Sequence, residues 1–142
     1  MIEAQIMRAN SLKRVFEDIS RASQRSTVTR AARAGAKELG LEMRRLAPRS
    51  KKPKHPKGHA YKTIKWAAVE RWPDRATFAI GPTGWGWYLG LHETGTSRFA
   101  AQPFMRPALA SKAGVAIDAV GTVFKGAVME AARRAAMRHA RC

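Results

Sequence analysis

At 142 residues the chain is long enough for one domain with a real core and short for two. Lys and Arg number 27 against 10 Asp and Glu, a formal net charge of +17 with a pI near 11.4, so an anionic partner is expected: nucleic acid, an anionic membrane surface or an acidic protein. The single cysteine, Cys142, excludes an intramolecular disulfide and a thiolate cluster within one chain, and apolar residues spread over several periodic segments argue against a transmembrane helix.

The first residues, MIEAQIMRANSLKR, lack the basic and apolar regions and the cleavage site of a secretory signal, so the expected location is the cytoplasm. Ile2, Ala4 and Ile6 alternate as in a short strand. Ser11 can cap a short amphipathic helix in which Leu12, Val15, Phe16 and Ile19 recur every three or four residues. A second helix is predicted from Ser26 or Thr27 to Ala47, with Val28, Ala31, Ala32, Gly35, Leu39, Met43 and Leu46 as a small-residue stripe and Pro48 as its terminator. Residues 49–60, RSKKPKHPKGHA, carry prolines, a glycine and no acid, and read as an exposed loop.

YKTIKWAAVERW and RATFAIGP flank Pro73-Asp74 and predict two strands of an antiparallel hairpin, with Tyr61 and Trp66 packing inward. Thr83-Gly84-Trp85-Gly86 reads as a flexible break, and WYLGLHETGT fits either a strand or a short helix before a turn at Gly95. From Pro107 to about residue 140 a long helix is predicted, with Leu109, Ala113, Ala116, Val120, Phe124, Ala127 and Ala131 at helical spacing. Pro107 suits a first turn, where a missing N–H costs nothing, and Pro103 holds Gln102 extended.

Enzymatic signatures fail one by one. His92-Glu93 opens like the zinc-protease motif H-E-x-x-H, but Thr96 stands where the second histidine belongs. His55 and His59 lie in a proline-broken, lysine-rich loop rather than on a helix face. GPTGWGW, residues 81–87, lacks the Gly-Lys-Ser/Thr ending of a phosphate-cradling loop and no clear helix follows it in the sequence. The acids are spread thinly, none falling between Glu42 and Glu70, and no serine, threonine or cysteine carries a nucleophile motif. No catalytic residue, cofactor or metal is therefore expected.

RRLAPRSKKPKHPK, residues 44–57, has seven Lys or Arg and no acid. It can neutralise phosphates without reading bases, because no recognition helix, finger or aromatic sheet motif accompanies it. A solvated loop explains the run equally well, and the same two readings apply to Arg133, Arg134, Arg138 and Arg141.

Ala47-Pro48, Gly58 through Ile64, the strand end FAIGP, WYLGLHETGT and AQPFMRPAL stand in an order that resembles the tail-completion family of long-tailed phages. These are the minor tail or head–tail joining proteins named after the tenth gene product of a lambdoid coliphage. The resemblance spans about residues 28–125, and its most specific part is Tyr88, Glu93, Gly95 and Thr96 followed by Pro103, Phe104, Arg106, Pro107 and Ala108. Ala60 replaces a usual Leu, Thr94 a common aromatic, and the loop before Gly58 is longer and more basic than the family's.

The resemblance implies an α+β fold, a small antiparallel sheet packed against helices with a long C-terminal helix, as one domain over 1–142. It implies a virion protein of the phage neck, assembled in the bacterial cytoplasm as a six-fold ring of copies of itself. Its neighbours would be the head connector or stopper and the tail terminator or tail tube, with no membrane partner and no enzyme activity. Glu93, Gly95, Thr96, Pro103, Phe104, Arg106 and Pro107 are the candidate subunit or ring contacts; Arg49, Lys51, Lys52, Lys54 and Lys57 are the candidate contacts to phage DNA or an acidic partner.

Each residue also has a plainer reading. Glu93, the lone acid between Asp74 and Asp118, suits a buried hydrogen bond to a backbone amide or an Arg, or is a surface acid. Gly95 and Thr96 shape a turn before they touch anything else. Phe104, held between two prolines, is either a docking anchor or a core residue. The alternative function is a small basic nucleic-acid-binding protein with no part in virion assembly.

Overall fold

In a computed structural model the protein is described at residues 17, 20, 25–52, 55–72 and 75–140. It is an α+β fold in which a two-stranded antiparallel hairpin packs on helices, the last of them long. The elements run α1 (Arg25–Leu46), β1 (Ile64–Arg71), β2 (Ala76–Pro82), α2 (Leu89–Thr94) and α3 (Met105–Ala140), with single 3-10 turns at Ala60–Thr63 and Gly84–Gly86. The strand expected over Ile2–Ile6 and the helix expected after Ser11 lie outside the described residues, apart from Glu17 and Ser20, which are helical and exposed.

α1 begins one residue before the predicted start and ends ahead of Pro48, as a proline requires. Its small-residue stripe lets α3 approach closely. A Cβ at Gly35 would stand 2.8 Å from Val120 Cγ2 and 3.0 Å from the Ala116 carbonyl oxygen, so only glycine fits there. At the other end of α1, Met43 and Ala47 share a core with Phe104 and Ala108, so the two helices run antiparallel.

The hairpin pairs Ile64 with Pro82 and Arg71 with Ala76, and an extra residue between Ala68 and Glu70 makes a bulge that leaves Val69 exposed. Inward positions alternate as a half-buried strand demands: Trp66 faces Ile80 and Ala68 faces Phe78 across the ladder. The Trp66 ring lies directly on Gly40 of α1. Tyr61, expected in the strand, sits instead in the 3-10 turn that precedes it. Thr63 closes this turn through its own hydroxyl to the Ala60 carbonyl, and the Thr63 carbonyl accepts from both the amide and the hydroxyl of Thr83.

WYLGLHETGT forms the short helix α2 rather than a strand, despite its apolar alternation. The Gly95 amide bonds back to the Leu91 carbonyl, and its φ of 77° ends the helix in a region open to glycine. Met43, Ala47, Ile64, Leu89, Phe104 and Ala108 form one core where the end of α1, the start of β1, α2 and the start of α3 meet. Phe104, Ile64 and Leu89 are the largest fully buried side chains. Burying an aliphatic or aromatic side chain of this size contributes roughly 1.5–3 kcal/mol, so this one contact region carries much of the driving force.

Candidate functional site

The segment 93–107 is a helix cap built across a turn. The free amides at the start of a helix have no partner inside it. Here the Glu93 carboxylate accepts all of those available: Phe104 N at 2.7 Å and Met105 N at 2.9 Å on Oε2, and Arg106 N at 3.1 Å on Oε1. The next residue, Pro107, has no N–H, and Ala108 N begins the internal ladder by bonding the Phe104 carbonyl. The negative carboxylate also sits at the positive end of the helix dipole, with Arg106 Nε 3.7 Å from Oε1. Burial pushes the Glu93 carboxyl up, but the amides of Met105, Phe104 and Arg106 and the Arg106 charge outweigh it, holding the pKa below the usual carboxylate value.

The chain between donor and acceptor is shaped to allow this. A Cβ at Gly95 would stand 2.7 Å from Ala101 N, so glycine is required by close approach as well as by φ. The Thr96 amide bonds the Phe99 carbonyl at 3.0 Å, the Thr96 hydroxyl accepts from Arg98 N at 3.3 Å, and Gln102 N bonds the His92 carbonyl at 2.7 Å. These three hydrogen bonds bring the chain back from Gly95 to Phe104.

Two of the predicted contact residues are engaged within the chain. Phe104 is 1% exposed and is a core residue of this chain, not an anchor for another. Glu93, with its side chain 10% exposed, spends its carboxylate on α3 and has little left for a neighbour. Gly95 and Thr96 shape the turn. Pro103, Arg106 and Pro107 are exposed and remain available for contact.

The basic run divides in a similar way. Arg44 donates from Nε and a terminal nitrogen to the Ile64 carbonyl at 2.9 and 2.7 Å and stacks its guanidinium 5.0 Å over Trp66, so it ties α1 to β1. Arg45 forms a two-pronged pair with Glu42 at 2.6 and 3.0 Å, which holds the Glu42 carboxyl below its usual pKa. Arg49, Lys51, Lys52 and Lys57 are exposed, and Lys54 lies outside the described residues. The loop is not a wholly exposed coil. The His55 ring stacks on Trp85 with centroids 4.5 Å apart, and Gly58, at φ 104°, closes a turn with its amide on the His55 carbonyl. Near the C-terminus Arg134 pairs with Glu130 at 3.3 Å and Arg133 is exposed, while the Arg138 side chain and Arg141 lie outside the described residues.

Two concavities were not foreseen from the sequence. One is a polar cavity of about 240 Å³ beneath the basic loop, lined by Arg49, His59, Tyr88, His92 and Gln102 among others. Both imidazoles have a buried Nδ1 without a hydrogen-bond partner, a deficit that costs about 1–3 kcal/mol per group unless something fills it. The other is an apolar groove of about 380 Å³, with Gly35 and Ala36 of α1 as floor, Phe78 and Ile80 of β2 on one side and Leu109 and Ile117 of α3 on the other. Ile117 is 70% and Leu109 52% exposed, although Leu109 belongs to the helically spaced apolar series of α3.

Among the described residues no helix is long and apolar enough to cross a membrane, and no three His, Cys, Asp or Glu side chains gather as a metal-holding group. GPTGWGW is followed by α2, but after an intervening turn, and that helix has six residues. Compared with known proteins, the chain matches no family model, no curated protein and no solved structure.

Proposed function

We propose that the chain is a structural virion protein of the phage neck, completing the tail and joining it to the head connector as one subunit of a ring. The observation that carries this reading is the apolar groove between β2 and α3, which no other described residue fills and whose Ile117 and Leu109 are exposed on a chain otherwise crowded with charge. Apolar surface left open on a soluble face is characteristic of contact surfaces. A groove on one side of a subunit, filled by a different surface of the next, is the head-to-tail geometry from which rings close. The motif order in the sequence supports the same reading, with no catalytic group assigned. The contact surface is the groove and the exposed Pro103, Arg106 and Pro107, not the buried Phe104.

Charged substitutions in the groove test it. Leu109→Glu with Ile117→Glu should leave the monomer folded, because both side chains are exposed, yet abolish incorporation into particles and complementation of a phage lacking the wild-type protein. A folded double variant that incorporates and complements like wild type sinks the proposal.

The nucleic-acid reading keeps one observation in its favour, the exposure of Arg49, Lys51, Lys52 and Lys57 on a single loop. If it holds, gel-shift titrations with duplex DNA give a steep fall of affinity with salt. A flat salt dependence removes it.

A further inference from the structure

We propose that the cavity under the basic loop is a phosphate-binding site, in which Arg49, His59, His92 and Gln102 seat a single tetrahedral oxyanion. This goes beyond the neck reading and does not rest on it.

The lining comes from four places in the chain: Arg49 from the chain leaving α1, His59 from the approach to β1, His92 from α2 and Gln102 from the stretch before α3. Among the described residues no acidic side chain lines the cavity. The nearest acid in sequence, Glu93, is committed to the amides of α3. Two histidines carry buried Nδ1 atoms without a hydrogen-bond partner among the described residues, and an imidazole nitrogen in its N–H form is a donor. The rings are held in place by their neighbours rather than by hydrogen bonds. His59 stacks on Tyr61 with centroids 5.7 Å apart, and His92 lies 5.0 Å from the Phe99 ring and edge-on to Tyr88.

Arg49 is positioned by the same aromatic, its guanidinium 4.7 Å over the Tyr61 ring, which orders a cation at the mouth. A cation, two imidazoles and an amide without a carboxylate or thiolate form an anion site, not a metal site. A cavity of about 240 Å³ is large enough to accommodate a phosphate group. The field of a +17 chain concentrates such anions at the surface. The phosphate can come from free ion in solution or from a nucleic-acid backbone.

The test follows the imidazole signals of the full chain by NMR during titration with inorganic phosphate, and in a second arm with a short DNA duplex, against chloride at matched ionic strength. His59 and His92 should shift saturably while His55, stacked on Trp85 and not lining the cavity, stays nearly still. Arg49→Ala, an exposed position that should fold, is expected to weaken binding about tenfold. Lys57→Ala, on the same loop but not lining the cavity, should change phosphate affinity less than about twofold, as expected for a screened surface charge. Saturation by phosphate alone identifies the free ion as ligand, and tighter saturation by the duplex identifies a backbone phosphate. Shifts that fail to saturate in both arms, that chloride reproduces, or that Arg49→Ala leaves unchanged overturn the proposal.

Discussion

Replacing Glu93 probes the connection between α2 and α3 directly. Glu93→Ala leaves the amides of Phe104, Met105 and Arg106 without their acceptor, and the first of these opens onto the core. Hydrogen bonds to charged groups contribute about 1.5–3 kcal/mol each, but water can reach the Arg106 amide and relaxation of the first turn recovers part of the rest. A net loss of about 3 kcal/mol is the expected cost of Glu93→Ala. For a domain of 142 residues that corresponds to a fall in Tm of roughly 10 °C. Glu93→Gln keeps one good acceptor and loses the charge at the helix dipole, so about half that cost is expected.

The pH dependence has a definite sign. Because the folded pKa of Glu93 lies below the ordinary 4.5, the carboxylate's contribution is complete above that value and is lost as pH falls through the lowered folded pKa. The stability gap between wild type and Glu93→Gln should therefore be constant from neutral pH to about 5 and narrow in more acidic solution. Urea unfolding followed by circular dichroism between pH 3 and 7 measures both quantities. A Glu93→Ala protein within about 0.5 kcal/mol of wild type, or a Glu93→Gln gap that does not narrow in acid, would refute the cap.

Phe104→Ala should cost about 3–5 kcal/mol through the cavity it opens, measured by the same melts. Its effect on particle assembly would then follow from instability, so it does not report on an interface. Gly35→Ala drives a methyl into Val120 and the Ala116 carbonyl and should destabilise by about 1–3 kcal/mol, whereas Gly121→Ala on the open side of α3 should stabilise by about 0.5–1 kcal/mol. Thermal melts of the pair separate helix contact from helix propensity. Neutralising Lys51, Lys52, Lys54 and Lys57 together should weaken any binding to DNA or an acidic partner more at low salt than at high salt, read by titration over a salt series.

The position of Glu93 shows how far sequence reasoning reached. A lone acid fourteen residues ahead of Pro107, the predicted helix start, suits a buried hydrogen bond to an amide or an Arg. Which amides, and that the bond stays within one chain, depended on the turn at Gly95 and the return through Gln102. Phe104 is the opposite case. Two flanking prolines fit a docking knuckle and a core residue equally well, because local stiffness says nothing about which way a ring points. Only the meeting of α1, β1, α2 and α3 decided for the core. In WYLGLHETGT the apolar alternation fits a strand or a short helix, and the chain makes six residues of helix, since the surface a short segment packs on decides between them.

What the sequence determined by itself were features set within a few residues: the stripe and proline stop of α1, the two antiparallel strands of the hairpin, the length of α3 and the placing of Pro107 where no amide is missed. These follow from periodicity and from proline and glycine stereochemistry, which act over one or two turns. Tertiary structure alone decided which charges are spent and which are free. Arg44 became a tie to β1 while Arg49 came to line a cavity with His59 and His92, from 10 and 43 residues further along. Hydrogen bonds and cavities between distant segments depend on how helices and hairpin pack, and no spacing along the chain encodes that directly.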